Sequence, residues 1–113
     1  MNTLRVLIVE DSVADSELML RALRGAGLEP VHERVDHGET MRQALQRQSW
    51  DVVISDYSLP AFDAPAALAL LQEGSADIPF IVVSGSVGED TAVALMKAGA
   101  ADYVMKDRLA RLA

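Results

Sequence analysis

Five polar residues of types that can do chemistry stand where short apolar segments of the sequence end. Glu10 and Asp11 follow the first apolar segment, and Asp56 follows the third. Ser84 closes the fourth segment, and Lys106 comes directly after the fifth. Carboxylates, a hydroxyl and an ammonium are the groups with which proteins hold a divalent cation and neutralise a phosphoryl group.

If the three carboxylates lie together, their mutual repulsion needs compensation. At about 4 Å and an effective dielectric constant of about 20, each pair costs roughly 4 kcal/mol. A divalent cation offsets that cost, and oxygen ligands without cysteine or histidine favour Mg²⁺ over zinc. Asp56 is then a candidate nucleophile, because carboxylates can form acyl phosphates. Ser84 would donate a hydrogen bond to the phosphoryl group, and Lys106 would neutralise its remaining charge.

The apolar segments are predicted to be strands of one parallel sheet. They are rich in β-branched residues, and continuous apolar runs are typical of strands that are buried on both faces. The predicted strands cover residues 4–9, 31–35, 51–55, 80–84 and 102–105. The second of them alternates apolar and polar residues, which indicates an edge strand.

Segments of helical period separate these strands. The predicted helices cover residues 13–25, 38–48, 64–74 and 89–98, and the tail from 108 predicts the first turns of a fifth helix that is cut short. Ser12 is the predicted N-cap of the first helix, Pro65 suits the first turn of the third, and Gly99 ends the fourth. The alternation predicts a doubly wound α/β fold, in which ligands bind beyond the carboxyl ends of the strands.

Composition excludes several classes of protein. The chain has 113 residues, which fits one domain with a sizeable core. It has no cysteine, which excludes a disulfide scaffold, a thiolate zinc site and a thiol nucleophile. Its net charge of −7 argues against a general nucleic-acid or anionic-membrane binder. Its apolar runs are too short for a membrane span, so we expect a cytoplasmic protein.

Other phosphate and metal motifs are missing from the sequence. The glycine-rich stretch 85–88 is not followed by Gly-Lys-Ser or Gly-Lys-Thr, so it is not a P-loop. The turn after the first strand lacks the glycine pattern of dinucleotide-binding folds. His32 and His37 have no partner at metal-ligand spacing, and we expect both on the surface. Trp50 is expected to serve packing.

Five short motifs occur in order along the chain. They are Val-Glu-Asp at 9–11, Asp-Tyr-Ser-Leu-Pro at 56–60, Val-Ser-Gly at 83–85, Ala-Gly-Ala at 98–100 and Asp-Tyr-Val-Met-Lys at 102–106. With this set the chain resembles a response-regulator receiver domain of bacterial two-component signalling, from Leu4 to Leu112. The resemblance implies one receiver domain over residues 1–113, with a flavodoxin-like, five-stranded sheet in the order 2-1-3-4-5.

The resemblance also implies how phosphate and metal are bound. Asp56 would accept a phosphoryl group from a phosphohistidine on a sensor histidine kinase or a phosphotransfer protein. Mg²⁺ would be bound by Asp11, by Asp56 and by the backbone carbonyl of Ser58, with Glu10 acting through a water molecule. A domain of this kind is a signalling module that assists its own phosphorylation and dephosphorylation, and is not an enzyme in its own right.

A switch between two conformations is the other property that the resemblance implies. Ser84, the backbone of Gly85 and Lys106 would contact the phosphoryl group. Ser84 and Tyr103 would then move together and change the face formed by the fourth helix and the fifth strand. The chain departs from the family pattern in having Asp107 after Lys106, where a proline is usual. A homodimer is left open, because the family's dimer surface includes the incomplete fifth helix.

Two alternatives remain open from the sequence. One is a Mg²⁺-dependent phosphohydrolase with an aspartate nucleophile, which typically has a second aspartate two residues later. Ser58 stands at that position. The other is a receiver-like interaction module that is never phosphorylated. The sequence identifies neither the cognate kinase nor the output.

Overall fold

The computed structural model describes residues 2–57, 64–74, 78–84 and 89–105. The strands are β1 (Asn2–Val9), β2 (Leu28–Val35), β3 (Val52–Asp56), β4 (Phe80–Ser84) and β5 (Asp102–Met105). The helices are α1 (Val13–Gly25), α2 (Gly38–Arg47), α3 (Ala64–Gly74) and α4 (Glu89–Ala98). Within these ranges, none of the helices has the length and apolar character that crossing a membrane requires.

All five strands belong to one parallel sheet with the order β2-β1-β3-β4-β5. This is the doubly wound, flavodoxin-like order that the family resemblance implied. β2 lies at one edge of the sheet, as its alternating residues predicted. The strand order reverses between β1 and β3, and ligands of open α/β sheets generally bind at the carboxyl ends of the strands at such a point.

Helices cover both faces of the sheet and form two separate cores. Leu7 and Val9 of β1 point to the core shared with α2, α3 and α4. Val6 and Ile8 point to the opposite core, which α1 covers. All four side chains are fully buried, because successive residues of a strand face opposite sides of the sheet. The continuous apolar run in β1 therefore has the origin that the sequence predicted.

The predicted helices agree with the structure to within one residue, whereas three strands differ at their ends. β2 begins at Leu28, three residues earlier than predicted, because its residues pair with β1 along its whole length. Pro30 is tolerated in it because an edge strand has one unpaired side. β1 begins at Asn2, and β3 is shifted by one residue so that Asp56 is its last residue. The predicted fifth helix lies outside the described residues.

Local contacts explain where the helices begin. Ser12 caps α1, and its hydroxyl oxygen accepts a hydrogen bond from the backbone N–H of Asp15 at 3.2 Å. Pro65 is in the first turn of α3, where its missing N–H removes no helical hydrogen bond. Trp50 is buried, and its indole N–H donates to the carbonyl of Ala44 in the last turn of α2. His37 is exposed and occupies the N-cap position of α2.

The C-terminal end of α4 is tied to its neighbours. The side-chain amide of Gln72, on α3, donates to the carbonyl of Ala98 at 2.7 Å. Beyond the helix, the N–H of Ala101 donates to the carbonyl of Phe80 at 2.7 Å. Gly99 lies between these ties with a φ of 122°. A Cβ at this position would approach the amide nitrogen of Gln72 more closely than van der Waals contact allows.

We expect Gly99→Ala to lower the free energy of unfolding by about 1–3 kcal/mol, because a positive φ is costly for alanine and Gln72 must also give way. Urea denaturation measures the loss. Gly25→Ala is the matched control, since a Cβ there meets nothing within 4 Å. That control should leave the stability unchanged or slightly raised. Equal stability of the Gly99 variant and the wild type would contradict the prediction.

Candidate phosphoryl-transfer and metal site

Three carboxylates meet at the carboxyl edge of the sheet, between β1 and β3. Each of Glu10, Asp11 and Asp56 offers an oxygen atom, and these atoms lie within 4.8 Å of one another. The strand register explains the approach, since Val9 is paired with Ser55. Glu10 and Asp56, which directly follow these paired residues, therefore stand side by side at the switch in strand order.

The three carboxylates differ in their exposure to solvent. Glu10 is fully buried and Asp56 is 8% exposed, whereas Asp11 lies on the surface. The cluster therefore has two buried carboxylates, those of Glu10 and Asp56, and one exposed carboxylate, that of Asp11. At about 5 Å and an effective dielectric constant of about 20, each pair of charges costs roughly 3 kcal/mol. The cluster thus favours the approach of positive charge.

Hydrogen bonds hold Glu10 on several sides. Its carboxylate oxygen Oε1 accepts from the backbone N–H of Ser12 at 3.1 Å. Its own N–H donates to the carbonyl of Val35 at 2.9 Å. Its carbonyl accepts from a guanidinium nitrogen of Arg34 at 3.1 Å. The segment that carries the two acids is therefore fixed to both α1 and β2.

Asp56 and Ser84 end two adjacent strands. Asp56 is paired in the sheet with Val83, and the N–H of Tyr57 donates to the carbonyl of Val83 at 3.0 Å. Ser84 follows Val83 and is 4% exposed. The sheet therefore positions the hydroxyl-bearing residue one place beyond the partner of Asp56.

Tyr103 lies on β5, opposite Val82 in the strand register. Its ring packs against the core shared with α2, α3 and α4. Its hydroxyl is buried and has no hydrogen-bond partner among the described residues. The side chain of Tyr103 is therefore turned toward this core.

Three of the predicted site residues, Ser58, Gly85 and Lys106, lie outside the described residues. Sequence reasoning overlooked Arg34, whose contact with the carbonyl of Glu10 brings a guanidinium to the acidic segment. The available signal was a basic residue near the end of the strand that neighbours β1. Such a position brings a long side chain to the edge where Glu10 and Asp11 lie.

The donor set fits Mg²⁺. All three candidate ligands are carboxylates, and hard cations prefer oxygen ligands. Mg²⁺ usually keeps several waters and binds one or two carboxylates, so an open site suits it better than a closed cage. The exposed side of the cluster, at Asp11, provides that opening. The fold is thus a flavodoxin-like α/β domain with a cluster of three carboxylates where the strand order reverses.

Comparison with known proteins places this domain in a family. A model of the response regulator receiver domain matches residues 6–112. A protein-glutamate methylesterase/protein-glutamine glutaminase of Azospirillum brasilense is 35% identical over 104 residues, which are 90% of this chain and 26% of that protein. The response regulator protein FleR of Pseudomonas aeruginosa is 35% identical over 107 residues, which are 95% of this chain and 22% of that protein.

A solved structure agrees with these relatives. The crystal structure of the Mn²⁺-bound form of response regulator Rcp1 has a TM-score of 0.77 and 25% identity, and it covers 96% of this chain and 88% of its own. The chain belongs to the response regulator receiver domain family. It is a receiver domain of two-component phosphorelay signalling. The chain spans about a quarter of the length of the two curated relatives named above.

We expect Mg²⁺ to raise the melting temperature, because a ligand that binds the folded state stabilises it by about 2.7 kcal/mol at 100 times its dissociation constant. Asp11→Asn should lose most of this gain, since it removes the exposed ligand of the cluster. Melting curves with and without Mg²⁺ measure both effects.

The matched control is Glu29→Gln, which removes one negative charge from an exposed position near the opposite end of β2. It should keep the full Mg²⁺-induced shift. If Asp11→Asn keeps the shift as well, the ion binds elsewhere on the protein.

Proposed function

We propose that Asp56 is the phosphoacceptor of this receiver domain. The observation that carries the proposal is the position of its carboxylate, within 4.8 Å of two other acidic groups at the carboxyl edge of the sheet. Asp56 is 8% exposed and ends a strand whose backbone is paired on both sides. A nucleophile held in this way needs little rearrangement before attack.

The reaction is a displacement at phosphorus. A carboxylate oxygen of Asp56 attacks the phosphoryl group of a phosphohistidine on a sensor histidine kinase or a phosphotransfer protein. The P–N bond breaks as the P–O bond of the acyl phosphate forms, and the leaving imidazole takes up a proton from solvent. The backbone that fixes Asp56 between β1 and β4 aims the carboxylate, and positioning of this kind supplies much of phosphoryl-transfer catalysis.

Charge is the main obstacle to this reaction, because a dianionic phosphoryl group must approach an acidic cluster. Asp11, Asp56 and the backbone carbonyl of Ser58 would hold Mg²⁺, with Glu10 acting through a water molecule. The ion would neutralise charge on the phosphoryl oxygens. The all-oxygen donor set supports this assignment, and so does the Mn²⁺-bound form of the related regulator Rcp1.

The other groups would act on the phosphoryl group once it is attached. Ser84 would donate a hydrogen bond, the backbone N–H of Gly85 would donate another, and Lys106 would pair with a phosphoryl oxygen. Support for Ser84 comes from its buried position at the end of β4, one residue beyond the sheet partner of Asp56.

Phosphorylation would shift the population of two arrangements of α4 and β5. Two observations support movement there. Tyr103, on β5, has a buried hydroxyl with no hydrogen-bond partner among the described residues, so no hydrogen bond from that hydroxyl holds the ring in place. A cavity of about 430 Å³ lies between α3 and α4, and Tyr57, the neighbour of Asp56, is among its lining residues. A helix that borders a cavity can change its packing without first displacing core side chains.

We expect the wild type to gain the mass of one phosphoryl group when it is incubated with acetyl phosphate and Mg²⁺. Asp56→Asn should show no gain, because the amide has similar size but cannot form an acyl phosphate. Intact-protein mass spectrometry measures the difference.

Asp51→Asn is the matched control, since Asp51 is an exposed aspartate directly before β3, at the opposite end of the same strand. This variant should be labelled like the wild type. Labelling of Asp56→Asn to the wild-type level would refute the assignment, and an unlabelled wild type would favour a module that is not phosphorylated.

A further inference from the structure

Arg34 brings a positive charge to the place where β1 and β2 end. It lies next to last in β2 and is paired in the sheet with Ile8. Its guanidinium nitrogen Nη1 donates to the backbone carbonyl of Glu10 at 3.1 Å. The contact joins residues that are 24 positions apart, and it is partly buried although Arg34 is an exposed residue.

This hydrogen bond acts on the peptide group that carries Asp11. The carbonyl of Glu10 and the N–H of Asp11 belong to the same planar unit, so fixing one fixes the orientation of the other. The N–H of Glu10 is already held by Val35 at 2.9 Å. Arg34 adds a second restraint from β2, beside the hydrogen bond that the Ser12 N–H donates to the Glu10 carboxylate, and β2 thus helps to set the direction in which the chain leaves β1.

Asp11 depends on this restraint more than the other two acids do. Glu10 and Asp56 are buried, so the surrounding core limits their movement. Asp11 is exposed, so little packing limits where its carboxylate goes. Its position relative to the other two therefore follows from the orientation of the backbone before it.

Orienting Asp11 would favour the binding of a cation, whereas the positive charge of Arg34 repels one. Water and salt screen an exposed guanidinium over distances of about 10 Å at moderate ionic strength. The hydrogen bond to Glu10 transmits its effect through a rigid peptide group, and salt screens that effect much less. The positioning effect should therefore exceed the repulsion at physiological salt.

We infer that Arg34 is a positioning residue of the divalent-cation and phosphoryl site. It orients the Glu10–Asp11 peptide group so that the carboxylate of Asp11 meets those of Glu10 and Asp56. The inference rests on the proposed function, because it concerns the same site. It differs from that proposal in assigning a role to a side chain outside the acidic cluster.

Three substitutions separate positioning from charge. Arg34→Met removes both the donor and the charge, Arg34→Gln keeps a neutral N–H donor on a shorter side chain, and Arg34→Lys keeps the charge and a donor. Mg²⁺ dissociation constants are measured by titration calorimetry at constant ionic strength. Arg42→Met is the matched control, an exposed arginine of α2 that pairs with Glu39.

If Arg34 acts by positioning, Arg34→Met should weaken Mg²⁺ binding by about tenfold, the low end of the range for removing a group that orients metal ligands by hydrogen bonding. Arg34→Gln and Arg34→Lys should each recover part of the loss, and Arg42→Met should bind like the wild type. A charge effect alone predicts the opposite sign, with Arg34→Met and Arg34→Gln both binding more tightly.

A second measurement needs no metal. The amide of Asp11 shares its peptide group with the carbonyl that Arg34 contacts, so its NMR signal should shift in metal-free Arg34→Met and stay in place in Arg42→Met. Unchanged or tighter Mg²⁺ binding by Arg34→Met would overturn this inference alone. Absence of Mg²⁺ binding by the wild type, or binding that survives Asp11→Asn, would overturn the proposed site and the inference with it.

Discussion

Three carboxylates lie close together in this domain, and the rest of the structure must hold them there against their electrostatic repulsion. Two of the three are buried, so water offsets little of the repulsion between them. The β1–β3 pairing holds Glu10 and Asp56 side by side against this force, and hydrogen bonds from Ser12 and Arg34 hold the segment after β1. A cation that bound to the cluster in the folded state would therefore stabilise the fold.

The apolar sheet is what makes such a cluster tolerable. Strands that are buried on both faces have hydrophobic contacts on two sides. These contacts keep the strands in register although like charges repel one another at the carboxyl edge of the sheet. In a parallel sheet, every carboxyl end lies at the same edge. The parallel sheet thus brings the carboxylates together, and its two buried faces supply the stability that this requires.

The same property explains why the meeting of Glu10, Asp11 and Asp56 could be predicted from the sequence. Continuous apolar runs located β1, β3 and β4 to within one or two residues, and the acids that follow β1 and end β3 then had to share an edge. The start of β2 was missed because Glu29 and Pro30 are not typical strand residues. Pairing with β1 extends the strand through both of them. The contacts of Arg34 and Gln72 span 24 and 26 positions, and they depend on side-chain reach that no periodicity encodes.

The ties at the C-terminal end of α4 give this helix the geometry of a lever. Two hydrogen bonds hold the C-terminal end of α4 and serve as its fulcrum: Gln72 donates to Ala98, and Ala101 donates to Phe80. The helix has 10 residues, so its opposite end is about 15 Å away. A tilt of about 10° around the fulcrum would move that end by roughly 2.5 Å, on the basis of the helical rise per residue. Small rotations of α4 are therefore magnified at the end of the helix that follows β4 and Ser84.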